Sequence, residues 1–245
     1  MTQPSAEERV LGLETSTRVC SVAVSVSGRI VAEQTWDSGL QHAERLLPMA
    51  QDMLRQLSLH ARELTGVAVG AGPGSFTGVR IGLATAKGLC LGGRLPLASV
   101  PTLAALAYPV WGCGLPVCAL LDARREEVYA GVYEFEGLRP VAVLPDQAVA
   151  LADLLLRLPR PVLLVGEGAR LHQRVLADAL GDDARFPAGA LIGPGAGAVA
   201  LIGGEMVRRG NTCDLAAAEP TCLRRSQAER VRESRLERAP ADTDG

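Results

Sequence analysis

Residues 70–82 read GAGPGSFTGVRIG, and this glycine-rich run decides the fold more than any other part of the chain. The apolar segment before it, residues 67–69, has the character of a buried strand, and the apolar segment after it, residues 79–91, that of a helix. A strand, a glycine loop and a helix in this order aim backbone N–H groups at an anion or at a closely packed neighbour. The run therefore predicts an α/β fold.

The loop differs from the two common nucleotide-binding fingerprints. A Walker A loop continues with Lys and Ser or Thr after its last glycine, whereas Val79 follows Gly78 here. A Rossmann loop carries a glycine three residues after the position of Gly74, and Thr77 stands there instead. The sequence therefore predicts neither of these phosphate sites.

The composition limits the class of protein. The chain has 245 residues, which suffice for one large domain or two small lobes. Hydrophobic residues make up 48% of it and aromatic residues only 3%, so small aliphatic side chains must fill the core and let elements approach closely. A net charge of −2 argues against a free-standing nucleic-acid-binding protein, which usually carries a basic excess.

Thiols and polarity suggest a cytoplasmic location. Six cysteines occur without any Cys-x-x-Cys pair, and residues 1–9 are polar and lack the apolar core of a signal peptide, so we expect reduced thiols. Residues 95–121 carry no charge and are long enough to suggest a membrane span. Four prolines interrupt them, however, which favours buried strands and a short helix over a membrane span.

The hydrophobic pattern predicts two similar halves. Each begins with strands joined by short turns and continues with alternating helices and strands. Predicted strands are residues 10–15, 19–26, 30–36, 67–69, 97–100, 117–121, 128–133, 140–144 and 162–165; predicted helices are 42–57, 79–91, 102–108, 148–156, 171–180 and 196–209.

This order suggests two related α/β lobes, residues 1–108 and 109–225, followed by a charged, flexible tail, residues 226–245. Residues 224–238 contain six Arg and three Glu. They could form an RNA-contacting arm, but mixed-sign runs are more often solvated helices or frayed tails.

The sequence contains no recognised metal-binding or nucleophilic motif. The three histidines, His42, His60 and His172, lack the spacing of a paired zinc site, so no metal is expected. His42 stands at a predicted helix start, as a capping or surface group. Ser75 does not lie in a Gly-x-Ser-x-Gly elbow, and the cysteines have the character of core residues.

The helix after the glycine loop carries a stripe of small residues at every fourth position: Gly78, Gly82, Ala86 and Cys90. This helix is apolar nearly all round, so neighbours must cover all its sides. One side can face the sheet, and the other must face a helix of the same chain or of a partner. We predict that the stripe faces outward; packing against residues 43–57 of the same chain is the alternative.

Four motifs occur in one order along the chain: LETST at 13–17, GPGSFTGVRIG at 72–82, DARREEVY at 122–129 and EPTCLR at 219–224. Together they resemble the TsaB family, also called YeaZ, over residues 10–225. This resemblance implies the α/β fold of the ribonuclease-H-like, actin-type ATPases, with two related lobes.

The resemblance also implies a function. Members of that family act with TsaD and TsaE to make threonylcarbamoyladenosine next to the anticodon of tRNA. The implied role is a non-catalytic subunit that holds the transferase TsaD, touches tRNA only through the complex, and forms a homodimer when alone. The family pairs through the helix after the glycine loop, which implies these partner-binding residues: Leu46, Met53, Val79, Gly82, Leu83, Ala86 and Cys90.

A nucleotide or anion could lie at the strand ends. Candidate contacts are Glu14, Thr15, Ser16, Gly72, Gly74, Ser75, Asp122 and Arg124. Actin-type ATPases place an Asp at the position of Glu14, which could hold a metal-bound water, although capping of local backbone groups is favoured. They also use Asp-x-Gly in the second lobe, where Arg124 replaces the glycine and obstructs the backbone's approach to phosphate. Asp122 then stabilises its own turn.

Two enzyme classes compete with the scaffold. An actin-type ATPase or phosphotransferase would need an Asp at residue 14 and a Gly at residue 124. A metallopeptidase would need the histidine pair of TsaD-like relatives, and Thr102 and Leu106 stand at those positions. We therefore expect no cofactor in this chain, with ATP or ADP at the joint with TsaD left open.

Overall fold

The computed structural model describes residues 7–37, 39, 41–124, 126–187 and 193–223. The predicted tail, residues 226–245, and the arginine-rich run 224–238 lie outside the described residues.

The first sheet has five strands. They are β1 (Arg9–Glu14), β2 (Val19–Val26), β3 (Arg29–Asp37), β4 (Gly66–Gly70) and β5 (Leu97–Val100). Their order is β3-β2-β1-β4-β5, with β2 antiparallel to β1 and β3, and with β1, β4 and β5 parallel. Helices α1 (His42–Gln56) and α2 (Phe76–Gly93) pack on one face of this sheet.

The second sheet repeats this topology. Its strands are β6 (Val117–Asp122), β7 (Glu127–Glu136), β8 (Arg139–Ala150), β9 (Val162–Val165) and β10 (Ala184–Arg185), in the order β10-β9-β6-β7-β8. Helices α4 (Leu151–Leu155), α5 (Glu167–Leu171) and α6 (Gln173–Leu180) lie along it. Two sheets with the same strand order confirm the predicted pair of related lobes, which is the actin-type arrangement.

Two helices form the layer between the sheets, and each packs on the sheet of the other lobe. Helix α3 (Thr102–Ala107) follows the first sheet in sequence but contacts β6, β7 and β8 of the second. Helix α7 (Ala196–Arg208) follows the second sheet but packs across all five strands of the first. A boundary after residue 108 therefore separates the two sheets but not their cores, which share one cluster that runs from Val10 to Leu121 through α3 and α7.

Glycines let α7 lie close to the first sheet. A Cβ added at Gly203 would clash with the Cβ of Ala68 on β4, and one at Gly12 on β1 would lie 2.9 Å from the Cβ of Ala200. Interiors are packed too densely to absorb such contacts without movement. The aromatic-poor, glycine-rich composition thus serves a close helix-to-sheet approach.

The first backbone N–H groups of α7 are satisfied from the sheet. The Ala196 N–H donates to Ser21 Oγ at 3.2 Å, and the Gly197 N–H donates to Glu33 Oε1 at 2.9 Å. These N–H groups have no partner within their own helix, so the two strands supply the caps. These caps tie the last helix of the second half to β2 and β3.

Three predicted helices differ from the structure. Residues 148–150 belong to β8, because they pair with residues 127–129 of β7, so the helix predicted over 148–156 is only α4. The helix predicted over 171–180 is α6, which begins only at Gln173, and the short helix α5 that ends at Leu171 was not predicted. Helix α2 begins at Phe76, earlier than predicted, because the Gly78 N–H donates to Ser75 Oγ at the N-cap.

The uncharged residues 95–121 form β5, α3, a single 3-10 turn (Tyr108–Val110) and most of β6. Within the described parts of the chain, no helix combines the length and the apolarity that crossing a membrane requires.

The approach of α7 to the sheet can be tested with a matched pair of glycines. Gly203→Ala should lower the free energy of unfolding by about 1–3 kcal/mol, because the new methyl group overpacks against Ala68. Gly92→Ala, whose methyl group would meet nothing within 4 Å, should be neutral or raise it by up to about 1 kcal/mol. Urea unfolding followed by circular dichroism measures both. Equal effects of the two substitutions would contradict the close approach.

Candidate functional site

The glycine loop rests on the end of β1. The Ser75 N–H donates to the Ser16 carbonyl at 2.6 Å, and the Thr15 hydroxyl donates to the Gly78 carbonyl at 2.8 Å. A Cβ added at Gly74 would clash with the Ser16 carbonyl. The glycines thus let the loop lie directly against the chain's own backbone at residues 15 and 16.

Glu14 is fully buried beneath this contact. Its Oε1 accepts from the Ser16 N–H at 2.5 Å, and its Oε2 lies where a Cβ on Gly70 would be. Burial raises the pKa of its carboxyl from the ordinary 4.5 to about 7, against the opposing effect of the bond from Ser16. The carboxyl group therefore contacts local backbone inside the protein.

Several polar atoms around Glu14 have no partner among the residues that the structure describes. They are Glu14 Oε2, Ser16 Oγ and His42 Nδ1, all of which are buried. The other ring nitrogen of His42 lies 2.9 Å from the Thr17 carbonyl. The assignment of His42 as a capping or surface group was wrong, because this contact draws the ring under the β1–β2 turn.

The start of the loop is held from two further elements. The Gly72 N–H donates to Thr102 Oγ1 at 3.1 Å, and the Thr102 N–H donates to the Gly72 carbonyl at 2.8 Å. On the other side, the Thr221 N–H donates to the Ala71 carbonyl at 2.7 Å. The Thr102 hydroxyl is thus engaged with the loop.

The candidate residues of the second lobe form a separate group. Asp122 is exposed, and its Oδ1 accepts from the Arg124 N–H at 2.7 Å, which closes a tight turn with Arg124 at φ +62°. Within the described chain, neither residue forms a hydrogen bond or ion pair with the loop at 70–82. The structure therefore brings together Glu14, Thr15, Ser16, Gly72, Gly74 and Ser75, but not Asp122 and Arg124.

The small stripe of α2 faces inward, so the prediction that it faces outward was wrong. A Cβ added at Gly78 would clash with the Thr15 carbonyl, and one at Gly82 with Thr15 Oγ1. Because the helix runs over the end of β1, only small residues fit there. All seven predicted partner-binding residues are buried in the chain's own interior: Leu46, Met53, Val79, Gly82, Leu83, Ala86 and Cys90.

A second series of small residues lies on the opposite side of α2. Ala84 and Gly88 are exposed, and a Cβ added at Gly88 or Gly92 would meet nothing within 4 Å. Exposed large apolar side chains occur on the same helix at Phe76 and Leu91, and on the neighbouring α1 at Leu47. We call the outer face the set Leu47, Phe76, Ala84, Gly88, Leu91 and Gly92. In the sequence, Ala84, Gly88 and Gly92 follow the buried stripe of Gly82, Ala86 and Cys90 at the same four-residue spacing, shifted by two positions.

Two arginines of the first lobe stack on partly exposed aromatic rings. The Arg80 guanidinium lies 3.9 Å from the ring centroid of Phe76, and that of Arg45 lies 4.7 Å from the ring of Trp36. Such stacking holds each cation against an aromatic surface that stays partly exposed. Among the described residues, no three His, Cys, Asp or Glu side chains cluster in a way that could hold a metal ion.

Comparison with known proteins agrees with this architecture. The family model "TsaD: tRNA N6-adenosine threonylcarbamoyltransferase" matches residues 37–204. The "tRNA threonylcarbamoyladenosine biosynthesis protein TsaB" of Bacillus subtilis is 31% identical over 223 residues, which cover 90% of this chain and 96% of that protein. The chain belongs to the TsaB family.

Further TsaB relatives support the assignment. The Escherichia coli TsaB is 41% identical over 128 residues, which cover 51% of this chain and 55% of that protein. The structure of "YeaZ from Pseudomonas aeruginosa" superposes with a TM-score of 0.74 at 28% identity and covers 88% of this chain and all of that one. The resemblance on the four motifs is thereby confirmed.

The buried carboxyl of this TsaB family member predicts a pH dependence. Because the pKa of Glu14 is higher in the folded chain, folding binds a proton between about pH 4.5 and 7, and the free energy of unfolding falls as pH rises through that range. Glu14→Gln stays neutral. Its stability relative to the unsubstituted chain should therefore rise between pH 5 and pH 8, by up to about 3 kcal/mol.

Chemical denaturation at several pH values measures this difference, with the exposed Glu134→Gln as the matched control. A difference for Glu14→Gln that stays constant from pH 5 to pH 8 would show that the carboxyl is not desolvated as described.

Proposed function

We propose that this chain is the non-catalytic subunit that binds a TsaD-type transferase during threonylcarbamoyladenosine biosynthesis on tRNA. The names of its relatives and the length of their match support this role. In this proposal TsaD and TsaE homologues are its partners, tRNA is contacted only through the complex, and two copies pair when TsaD is absent.

The observation that supports the non-catalytic role is that the glycine loop is hydrogen-bonded to the chain's own backbone and to Thr102. The loop backbone is hydrogen-bonded to the Ser16 carbonyl and the Thr102 hydroxyl, and the Glu14 carboxyl lies buried against Gly70. An actin-type enzyme would direct such groups at a nucleotide and its metal. Here the loop N–H groups and the Thr102 hydroxyl hold β1, α2 and α3 together, and we propose that this chain uses no cofactor of its own.

The outer face is the surface that we assign to the partner. Leu47, Phe76 and Leu91 are 39%, 48% and 68% exposed, respectively, although apolar side chains of this size are usually buried. Ala84 and Gly88 lie between Phe76 and Leu91 on α2 and add almost no bulk, whereas Leu47 lies on α1. Small residues at a contact allow helix axes to approach to the short end of the usual ~8–10 Å range. A partner helix laid along α2 would thus cover Phe76, Ala84, Gly88 and Leu91 together.

Arginine at Gly88 tests this assignment. Gly88→Arg should fold normally, because its side chain projects into open space. It should neither self-associate nor capture TsaD, since a long charged side chain would keep the helices apart and would be desolvated on docking. Sedimentation measures self-association, and a pull-down measures TsaD capture. Transfer of the threonylcarbamoyl group from its adenylate to tRNA, in the presence of TsaE, measures activity. The transfer rate should fall at least about tenfold.

Two substitutions serve as controls. Ala179→Arg, exposed on α6 of the second lobe, should leave pairing and transfer unchanged. Gly82→Arg, on the inner face of α2, should disrupt folding, because the side chain would displace Thr15. Normal TsaD capture by Gly88→Arg would place the partner elsewhere. Full transfer activity without this chain, over many turnovers, would refute the scaffold role itself.

A further inference from the structure

A cavity of about 620 Å³ lies between the two lobes, apart from the glycine loop and the outer face. The β7–β8 hairpin forms one wall, and helices α3 and α7 form the other. None of the residues 14–17 or 70–78 lines it. Its apolar wall consists mainly of Tyr108, Tyr133, Pro140, Pro145, Ile202 and Met206. This volume lies in the range of sites for small organic ligands.

The arginines that line the cavity are neutralised by neighbouring acids. Arg139 pairs with Glu136, and Arg209 Nε lies 2.5 Å from Glu205 Oε1. Arg208 pairs with Glu205 and also, at 3.2 Å, with Glu8. These pairs occupy the cations, so the cavity does not offer a free positive charge to an anion.

Asp146 is the exception among the charged lining residues. Its Oδ1 accepts from the Tyr133 hydroxyl, and no cation of the described chain lies within ion-pair distance of it. Burial raises the pKa of its carboxyl, while the bond from Tyr133 opposes the rise. A partly desolvated carboxylate without a counter-ion gains most from a cation brought by a ligand.

We propose that this cavity binds a small organic cation, an amine with an apolar body. The ammonium group pairs with Asp146, and the body packs against Tyr133, Tyr108 and the prolines. Aromatic faces favour such a cation beyond the ion pair itself. The site uses none of the outer face, so the proposal stands independently of TsaD binding.

Three compounds of one shape test the charge preference on the full chain. Calorimetric titration compares tyramine, which is a cation, with neutral 4-ethylphenol and anionic 3-(4-hydroxyphenyl)propionate. Tyramine should bind at least about tenfold more tightly than either, since the compounds share a phenol ring and differ mainly in charge. Equal binding of tyramine and 4-ethylphenol, or no binding of tyramine at millimolar concentration, would overturn the proposal.

Two variants locate the site. Asp146→Asn should weaken tyramine about tenfold and leave 4-ethylphenol unchanged, whereas the exposed Asp153→Asn should change neither. Ala142→Trp, which places a large ring on the cavity wall, should abolish binding of both compounds. Unchanged tyramine binding by Ala142→Trp would contradict this location, even if Asp146→Asn failed to fold.

Discussion

The contact between α2 and the end of β1 is the constraint on which the rest of this structure depends. Thr15 donates its hydroxyl proton to the Gly78 carbonyl and lies where a side chain on Gly82 would be. This contact fixes which side of α2 is inside. It also places the loop against the backbone of residues 15 and 16. One contact thus buries the small stripe of Gly78 and Gly82 and leaves Ala84 and Gly88 exposed on the other side of the helix.

The middle layer extends the same use of small residues to the whole molecule. Helix α7 crosses the first sheet because Gly12 and Gly203 remove the Cβ atoms that would keep it away. Helix α3 fills the corresponding place on the second sheet, and its first residue, Thr102, also bonds to the glycine loop. The exchange of these helices couples the lobes, so the loop, the outer face and the cavity belong to one packed unit.

The sequence predicted the strand framework well and the helix faces poorly. Strands 19–26, 97–100 and 162–165 have the predicted bounds. Each is a short apolar run between turn or helix signals, which leaves few alternative positions for the strand ends. Helix α2, however, carries two series of small residues, each with a spacing of four. Contacts with Thr15, which is distant in sequence, determine which of the two series is buried. The burial of His42 and the exchange of α3 and α7 likewise depend on contacts between segments far apart in sequence.

Hydrogen–deuterium exchange of this chain, alone and with its TsaD partner, tests the central claim most directly. If the outer face binds TsaD, α1 and α2 should gain protection over residues 43–56 and 84–92. The second sheet, residues 117–150, should exchange as before. Protection confined to the second sheet or to the glycine loop at 70–78, with α2 unchanged, would contradict the claim that the packing of Thr15 turns the partner-binding side of α2 outward.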